Sequence, residues 1–407
     1  MPTADEMTLA ARLVHAGIVP RPKAEAVLKE RDSLRGQIAA PSLLDLLVDH
    51  GLITRTELMI FRDRPLEELQ PFPKYDIQGK VAEGGMAQVY RATYKPLDVQ
   101  VALKVVKPEV SRQERMLLRF RREAGILMKL DHPAIVKGYD LGEQERVWYC
   151  AMQYAEGNNL EALIAERGPM PEVVALAAVA QIARAVAYLD SRGIVHRDIK
   201  PGNIVMDGKG QCRIIDLGLC LLRGGMKEDV EEGVTVGTVE YLSPEQARGS
   251  SDLDVRADLY AIGCTIHHLM TGRVPFLGDT PDETLVKQVL GIFKPERLKA
   301  VGASPRCIDL VARLVEKERD QRVPNAALLV SELEAIWPAC RVEEPAPIPV
   351  PAPVPAPIPP SAPKGATGGK PVPAPAPGPA MPRLVSKKDR DKEPEEPRAR
   401  PGRKRRR

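Results

Sequence analysis

Between residues 196 and 217 the chain concentrates polar groups within an otherwise apolar pattern. His196-Arg197-Asp198-Ile199-Lys200-Pro201-Gly202-Asn203 sets a carboxylate, a lysine and an amide close together, where Pro201 and Gly202 oppose helix formation. Further on, Ile214-Ile215-Asp216-Leu217-Gly218 ends an apolar strand-like run on an acid. Asp216 and Asn203 together offer the hard oxygen donors that Mg²⁺ takes. Upstream, Val81-Ala82-Glu83-Gly84-Gly85-Met86-Ala87-Gln88-Val89-Tyr90 carries little side-chain bulk at its turn, which lets backbone N–H groups approach phosphates. Lys104 sits in the β-type run Val101-Ala102-Leu103-Lys104, where an ammonium wants a charge partner. Glu123, in the helical run that follows, faces suitably for Lys104 if that helix packs on the strand.

The elements that must position these groups change character along the chain. Residues 75–82, 87–94 and 99–107 read as short β-type runs separated by Gly-rich or Pro/Asp turns. After Arg112 helical periodicity dominates, so a β-rich start meets a helix-rich body: an α+β architecture with two lobes. The apolar stretch Val173–Leu189, interrupted by Gln181 and Arg184, reads as a buried helix rather than a membrane span.

Residues 1–70 read as a module of short helices. Leu13-Val-His-Ala-Gly17-Ile-Val19 recurs as Leu47-Val-Asp-His-Gly51-Leu-Ile53, and each glycine suits the left-handed position after a helix. Thr54-Arg-Thr-Glu57 then has capping-box spacing. Two copies are too few for a solenoid; the expectation is an interaction or regulatory module with a protein partner. Pro65, Pro71 and Pro73 mark a linker.

The 407 residues carry a formal charge of +4, unevenly spread. The last 65 residues hold 14 Lys+Arg against 7 Asp+Glu and 19 of the 39 prolines, leaving a mildly acidic body. Residues 345–360 favour polyproline II and reach about 50 Å, so 341–407 reads as a disordered tail. Its basic end, Arg398–Arg407, lacks aromatic residues for base stacking, which limits it to weak, non-specific, salt-dependent anion binding. The six cysteines form no C-x-x-C pair, which argues for reduced thiols and a cytoplasmic setting. The first residues are acidic and lack a long apolar region, so neither secretion nor a membrane anchor is expected.

The ordered set of Gly-rich turn, strand lysine, helix glutamate, catalytic-type loop and Asp-Leu-Gly resembles the bacterial-type (eukaryotic-like, Hanks-type) serine/threonine protein kinases. The resemblance covers about Tyr75 to Trp337 and extends to Asp131-His-Pro-x-Ile-Val136, to Gly237-Thr238-Val-Glu-Tyr-Leu-Ser-Pro-Glu245, to Asp258-Leu-Tyr-Ala-Ile-Gly263 and to Arg322. It implies a bilobal kinase fold over 75–337 that transfers the γ-phosphate of ATP to protein Ser/Thr hydroxyls with Mg²⁺.

Under this resemblance Lys104 holds the α/β-phosphates and is fixed by Glu123. Asn203 and Asp216 hold Mg²⁺, Asp198 takes or orients the substrate hydroxyl proton, and Lys200 stabilises the moving phosphoryl group. Lys200 and Thr238 favour Ser/Thr over Tyr substrates. Met152 becomes the gatekeeper, Gln153-Tyr154-Ala155 the hinge, and Val89, Ala102 and Val205 the adenine pocket. Val81, Ala82, Gly84 and Gly85 belong to the nucleotide loop. Glu245 and Arg322 form a buried ion pair.

Arg197 before Asp198 implies control by charge on the activation segment, residues 216–245. Thr235 is the phosphorylation candidate, with the acidic run Glu228-Asp229 and Glu231-Glu232 as a built-in rival. Ala82 and Ala87 replace two loop glycines of the family and Leu217 its usual Phe. The altered loop motivates an alternative, a pseudokinase-like scaffold acting through its module and tail.

Overall fold

Capping residues set the starts of the first helices. The computed structural model describes residues 3–34, 41–61, 70–217, 220–222 and 237–336. Helices α1 (Ala4–His15) and α3 (Leu43–Asp49) each open with a capping box, Thr3 with Glu6 and Ser42 with Asp45. Between them runs α2 (Arg21–Ser33), and α4 (Arg55–Phe61) follows. Before α4, Thr54 N donates to Glu57 Oε2 at 2.7 Å and Glu57 N to Thr54 Oγ1 at 3.1 Å. Leu13, Ile18, Leu47 and Ile53 are buried together as the module's own core.

The three β-type runs become β1 (Tyr75–Glu83), β2 (Ala87–Tyr94) and β3 (Val99–Val106), followed by α5 (Pro108–Ser111) and α6 (Glu114–Leu127). Two further strands, β4 (Gly138–Gln144) and β5 (Val147–Gln153), complete an antiparallel sheet of order β1-β2-β3-β5-β4. The sequence pattern conceals this second hairpin. Gly138-Tyr-Asp-Leu-Gly-Glu-Gln alternates poorly, and its turn is the charged pair Glu145-Arg146, both at positive φ.

Period-2 alternation gives β3 two different faces. Val101, Leu103 and Val105 point to a core shared with Ile60 of α4 and with Phe72. Val106 joins Phe120 and Ala124 of α6 in the main core, and Lys104 looks to the same side. Helix α4 and the segment before β1 therefore cover the sheet face opposite the lysine.

The second lobe is mostly helical, as the sequence pattern indicated. It contains β6 (Asn158–Asn159), α7 (Leu160–Arg167), α8 (Glu172–Asp190), β7 (Ile194–Val195), β8 (Ile204–Met206), β9 (Cys212–Ile214) and β10 (Leu221–Leu222). Then come α9 (Pro244–Ala247), α10 (Val255–Thr271), α11 (Pro281–Leu290), α12 (Glu296–Ala300), α13 (Pro305–Leu314) and α14 (Ala326–Ile336). Helix α8 packs on α10 and α14. By length and composition α8 could cross a membrane, yet 61% of its apolar window is buried inside the protein. The fold is α+β and bilobal.

Glu245 and Arg322 meet as the family resemblance implied. Both guanidinium Nη atoms donate to the carboxylate at 2.8 Å, and the Arg322 side chain is fully buried. Cys150, Cys212, Cys220, Cys264 and Cys307 are free and buried. Pro65, Gly218, Thr235, the acidic run 228–232, Trp337, Cys340 and the tail 341–407 lie outside the described residues.

Candidate active site

The loop 196–203 is held in shape by a residue that motif reading left without a role. Asp258, in the first turn of α10, is buried and accepts from His196 N and Arg197 N, both at 2.8 Å. Burial raises its pKa, offset by His196 and those two N–H donors. Arg197 adopts φ +69°, costly for a non-glycine residue, and Gln246 Nε2 donates to its carbonyl at 3.0 Å. The signal in the sequence was an acid starting an apolar helix, Asp258-Leu-Tyr-Ala-Ile.

Asp198 is the convergence point. Its Oδ2 accepts from Asn203 Nδ2 at 2.8 Å and stands 2.9 Å from Lys200 Nζ. Its Oδ1 accepts from Thr238 Oγ1 at 3.0 Å and Thr238 N at 3.2 Å. Lys200 Nζ also donates to Thr238 Oγ1. Burial works against the charge, but Lys200, Thr238 and Asn203 outweigh it and hold the carboxyl below its ordinary range.

Asn203 ends a 3₁₀ turn, Pro201–Asn203, and spends its Nδ2 on Asp198, which leaves the amide oxygen available. Ile215 N donates to Asn203 O at 3.0 Å, and β8 pairs with β9 through Ile204 and Ile214. This short ladder fixes where Asp216 emerges relative to Asn203.

In the β-rich lobe, Lys104 lies opposite Val89 on β2 and Cys150 on β5. Its Nζ is 3.3 Å from Asp216 Oδ1, and Asp216 and then Glu123 raise its pKa against the effect of burial. Glu123 is instead bound by its helix neighbour Arg119, Nε to Oε1 at 3.0 Å. No ion pair joins Lys104 to Glu123, so the expected partnership is not the one the structure makes. Asp216 has taken the lysine, and Arg119, one turn before Glu123 on α6, offers the acid a nearer cation. Burial pushes the Glu123 carboxyl up to about 7, with Lys104 and Arg119 opposing.

Lys104, Glu123, Met152, Asp216 and Leu217 line a cavity of about 30 Å³, room for one water. Ala102 faces Met152 in register, with Val205 buried and Val89, Gln153, Tyr154 and Ala155 half-buried. At the tip of β1–β2, Gly84 N donates to Ala87 O at 2.9 Å, and Ala82 lies opposite Val89. Val81, Ala82, Gly84 and Gly85 are exposed. Glu83 is held down to about 2 by Lys107 at 2.8 Å and Lys80 at 3.0 Å. A roomier recess, about 880 Å³ between Leu290, Phe293, Ile308 and Val315, lies in the helical lobe away from these groups. Chemistry, not volume, locates the site.

The protein kinase domain family matches residues 75–332. The chain is 33% identical over 264 residues to serine/threonine-protein kinase PknB of Mycobacterium leprae, covering 64% of this chain and 42% of that protein. It is 34% identical over 272 residues to PrkC of Bacillus subtilis, covering 67% and 42% respectively. With PknL of Mycobacterium tuberculosis the identity is 35% over 274 residues, covering 67% and 68%. The chain thus spans about two-fifths of the length of PknB and PrkC. With a matched domain that fills well over half of its residues, the chain belongs to the protein kinase family.

Proposed function

We propose that the chain is an ATP-dependent serine/threonine protein kinase whose substrates are proteins. The observation that carries this reading is the Asp198 cluster, a carboxylate kept ionised by Lys200, Thr238 and Asn203 at the mouth of a loop. Protein kinases use ATP with Mg²⁺. The donor set suits that metal: the amide oxygen of Asn203 and the half-exposed Asp216 carboxylate are both hard ligands. When bound, Mg²⁺ neutralises phosphate charge.

The residues divide the remaining work. Asp198 orients the substrate hydroxyl and takes its proton as the oxygen bonds to the γ-phosphorus and the bond to the β-phosphate oxygen breaks, releasing ADP. Lys200 offsets charge on the moving phosphoryl group, and Lys104 holds the α/β-phosphates. Backbone groups of Gln153, Tyr154 and Ala155 bind adenine between Val89, Ala102 and Val205, with Met152 behind them. Val81, Ala82, Gly84 and Gly85 cover the phosphates. Glu123 pairs with Lys104 in the working state, having left Arg119. Lys200 and Thr238, together with the printed names of the relatives, support Ser/Thr as acceptor.

We assign residues 1–70 to a regulatory or interaction module, 75–337 to the catalytic domain and 341–407 to a tail with weak, salt-dependent anion binding. Catalysis is assigned to the cytoplasm, where ATP and reduced thiols, such as the free cysteines among the described residues, coexist. Thr235 is the candidate activating phosphosite. A partner-binding scaffold, motivated by Ala82 and Ala87, is disfavoured because Lys104, Asp198, Asn203 and Asp216 are all present. Autophosphorylation with radiolabelled ATP separates the two: Asp198→Asn abolishes the signal of an enzyme, whereas equal trace signal in both proteins rejects the kinase reading.

A further inference from the structure

The repeated sequence in the first module has a structural counterpart that the kinase reading does not use. Gly17 and Gly51 take φ +68° and +64°, and each turns the chain back after its helix. Ile18 N then donates to Leu13 O and Leu52 N to Leu47 O, both at 2.9 Å. Ile18 and Leu52 are equivalent positions of the two copies, and their carbonyls bind the same guanidinium. Arg112 Nη1 donates to Ile18 O, and Nη2 donates to Leu52 O at 3.3 Å.

Glu57 completes the cradle. Its Oε1 accepts from Arg112 Nε at 3.1 Å and Nη2 at 2.7 Å, its Oε2 lies 3.2 Å from Arg146 Nη2, and its side chain is fully buried. Next to it, Glu145 O accepts from Thr54 Oγ1 at 2.9 Å and Glu145 Oε2 from Thr56 N at 3.0 Å. Charge-assisted bonds from three nitrogens of one guanidinium, two of them converging on Glu57 Oε1, fix its orientation as well as its distance.

Arg112 stands at a mechanically sensitive place. It caps α5 and lies two residues before α6, whose N-cap Gln113 supplies no side-chain capping bond. A helix rising 1.5 Å per residue carries motion of this end to Glu123, about 14 Å along the axis. In the gripped state Glu123 is on Arg119 and Lys104 on Asp216.

We propose that Arg112 is a positioning residue: the two-copy module grips it and holds α6 where Glu123 stays off Lys104, restraining phosphoryl transfer. The proposal rests on the kinase reading above for the importance of that pair. Its occupant is internal, so release of the grip, by mutation or by a competitor for the cradle, raises activity.

The test uses the full chain with Arg112→Gln and Glu57→Gln; the glutamine at 57 keeps an oxygen for the Thr54 cap. Initial autophosphorylation rates at saturating radiolabelled ATP should rise about fivefold or more in each single variant. The double variant should rise no further, because both changes break one contact. In a Glu123→Gln background the gain should vanish, which a merely structural role does not predict. Rates unchanged or lowered in folded variants, or a gain that survives Glu123→Gln, overturn the proposal. Should wild type match Asp198→Asn, the kinase reading itself has failed, and hydrogen exchange over residues 114–127 decides the grip. Faster exchange in Arg112→Gln supports it; identical exchange overturns it.

Discussion

Lys104 Nζ lies 3.3 Å from Asp216 Oδ1 while Glu123 Oε1 receives Arg119 Nε at 3.0 Å. Two ion pairs thus share four groups that could be paired differently. Arg119→Met removes the cation competing for Glu123, and the expected result is a KM for ATP lower by roughly fivefold with kcat unchanged or higher. Steady-state kinetics against ATP check this. An unchanged KM means Arg119 does not compete.

Glu123 also makes a pH signature. Its carboxyl sits near 7 in the folded chain against an ordinary 4.5, mainly because burial opposes the charge. The folded state therefore binds more protons than the unfolded chain between those values, and stability falls as pH rises through that window. Glu123→Gln removes the ionisation. Its melting temperature relative to wild type should be more favourable at pH 8 than at pH 5; an equal gap at both values contradicts the assignment.

Thr238 donates to Asp198 from its backbone and its hydroxyl, and its hydroxyl accepts from Lys200. Thr238→Val should lower kcat roughly tenfold or more with stability changed by about 1 kcal/mol. Loss of a donor raises the Asp198 pKa, so the acid limb of the pH–rate profile should move to higher pH. Thr238→Ser should behave like wild type. Kinetics indistinguishable between Val and Thr would remove Thr238 from the site.

Far from the chemistry, Arg322→Met strands Glu245 without its bidentate partner. Removing one member of a buried pair costs about 3–5 kcal/mol, measurable by urea denaturation. Arg322→Met with Glu245→Leu should recover most of the loss. A single-variant cost below about 1 kcal/mol would show that the pair is solvated.

What could be read in advance follows from the range of the interactions. The first three strands were visible because alternation in 75–107 is local, and the Glu57 cap because its partner is three residues away. Asp198, Asn203 and Asp216 were recognisable from spacing, since one loop and one hairpin carry them. The Arg112 cradle was not, because its acceptors lie 55 to 94 residues away and two of them are carbonyls, which every residue has. Nor was the Arg119–Glu123 pair. Periodicity says which residues share a face of α6, but the choice between two cations depends on where the helix sits.

The face of β3 that bears Val101, Leu103 and Val105 rests against Ile60 and Phe72. A fragment cut immediately before Tyr75 would keep every group assigned to catalysis and yet turn that face to water. The start of the family match is therefore not the start of the folding unit: the stretch ahead of the first strand is a wall of the lobe that follows it. Fragments meant to retain activity should begin before α4, and those beginning at residue 75 should aggregate.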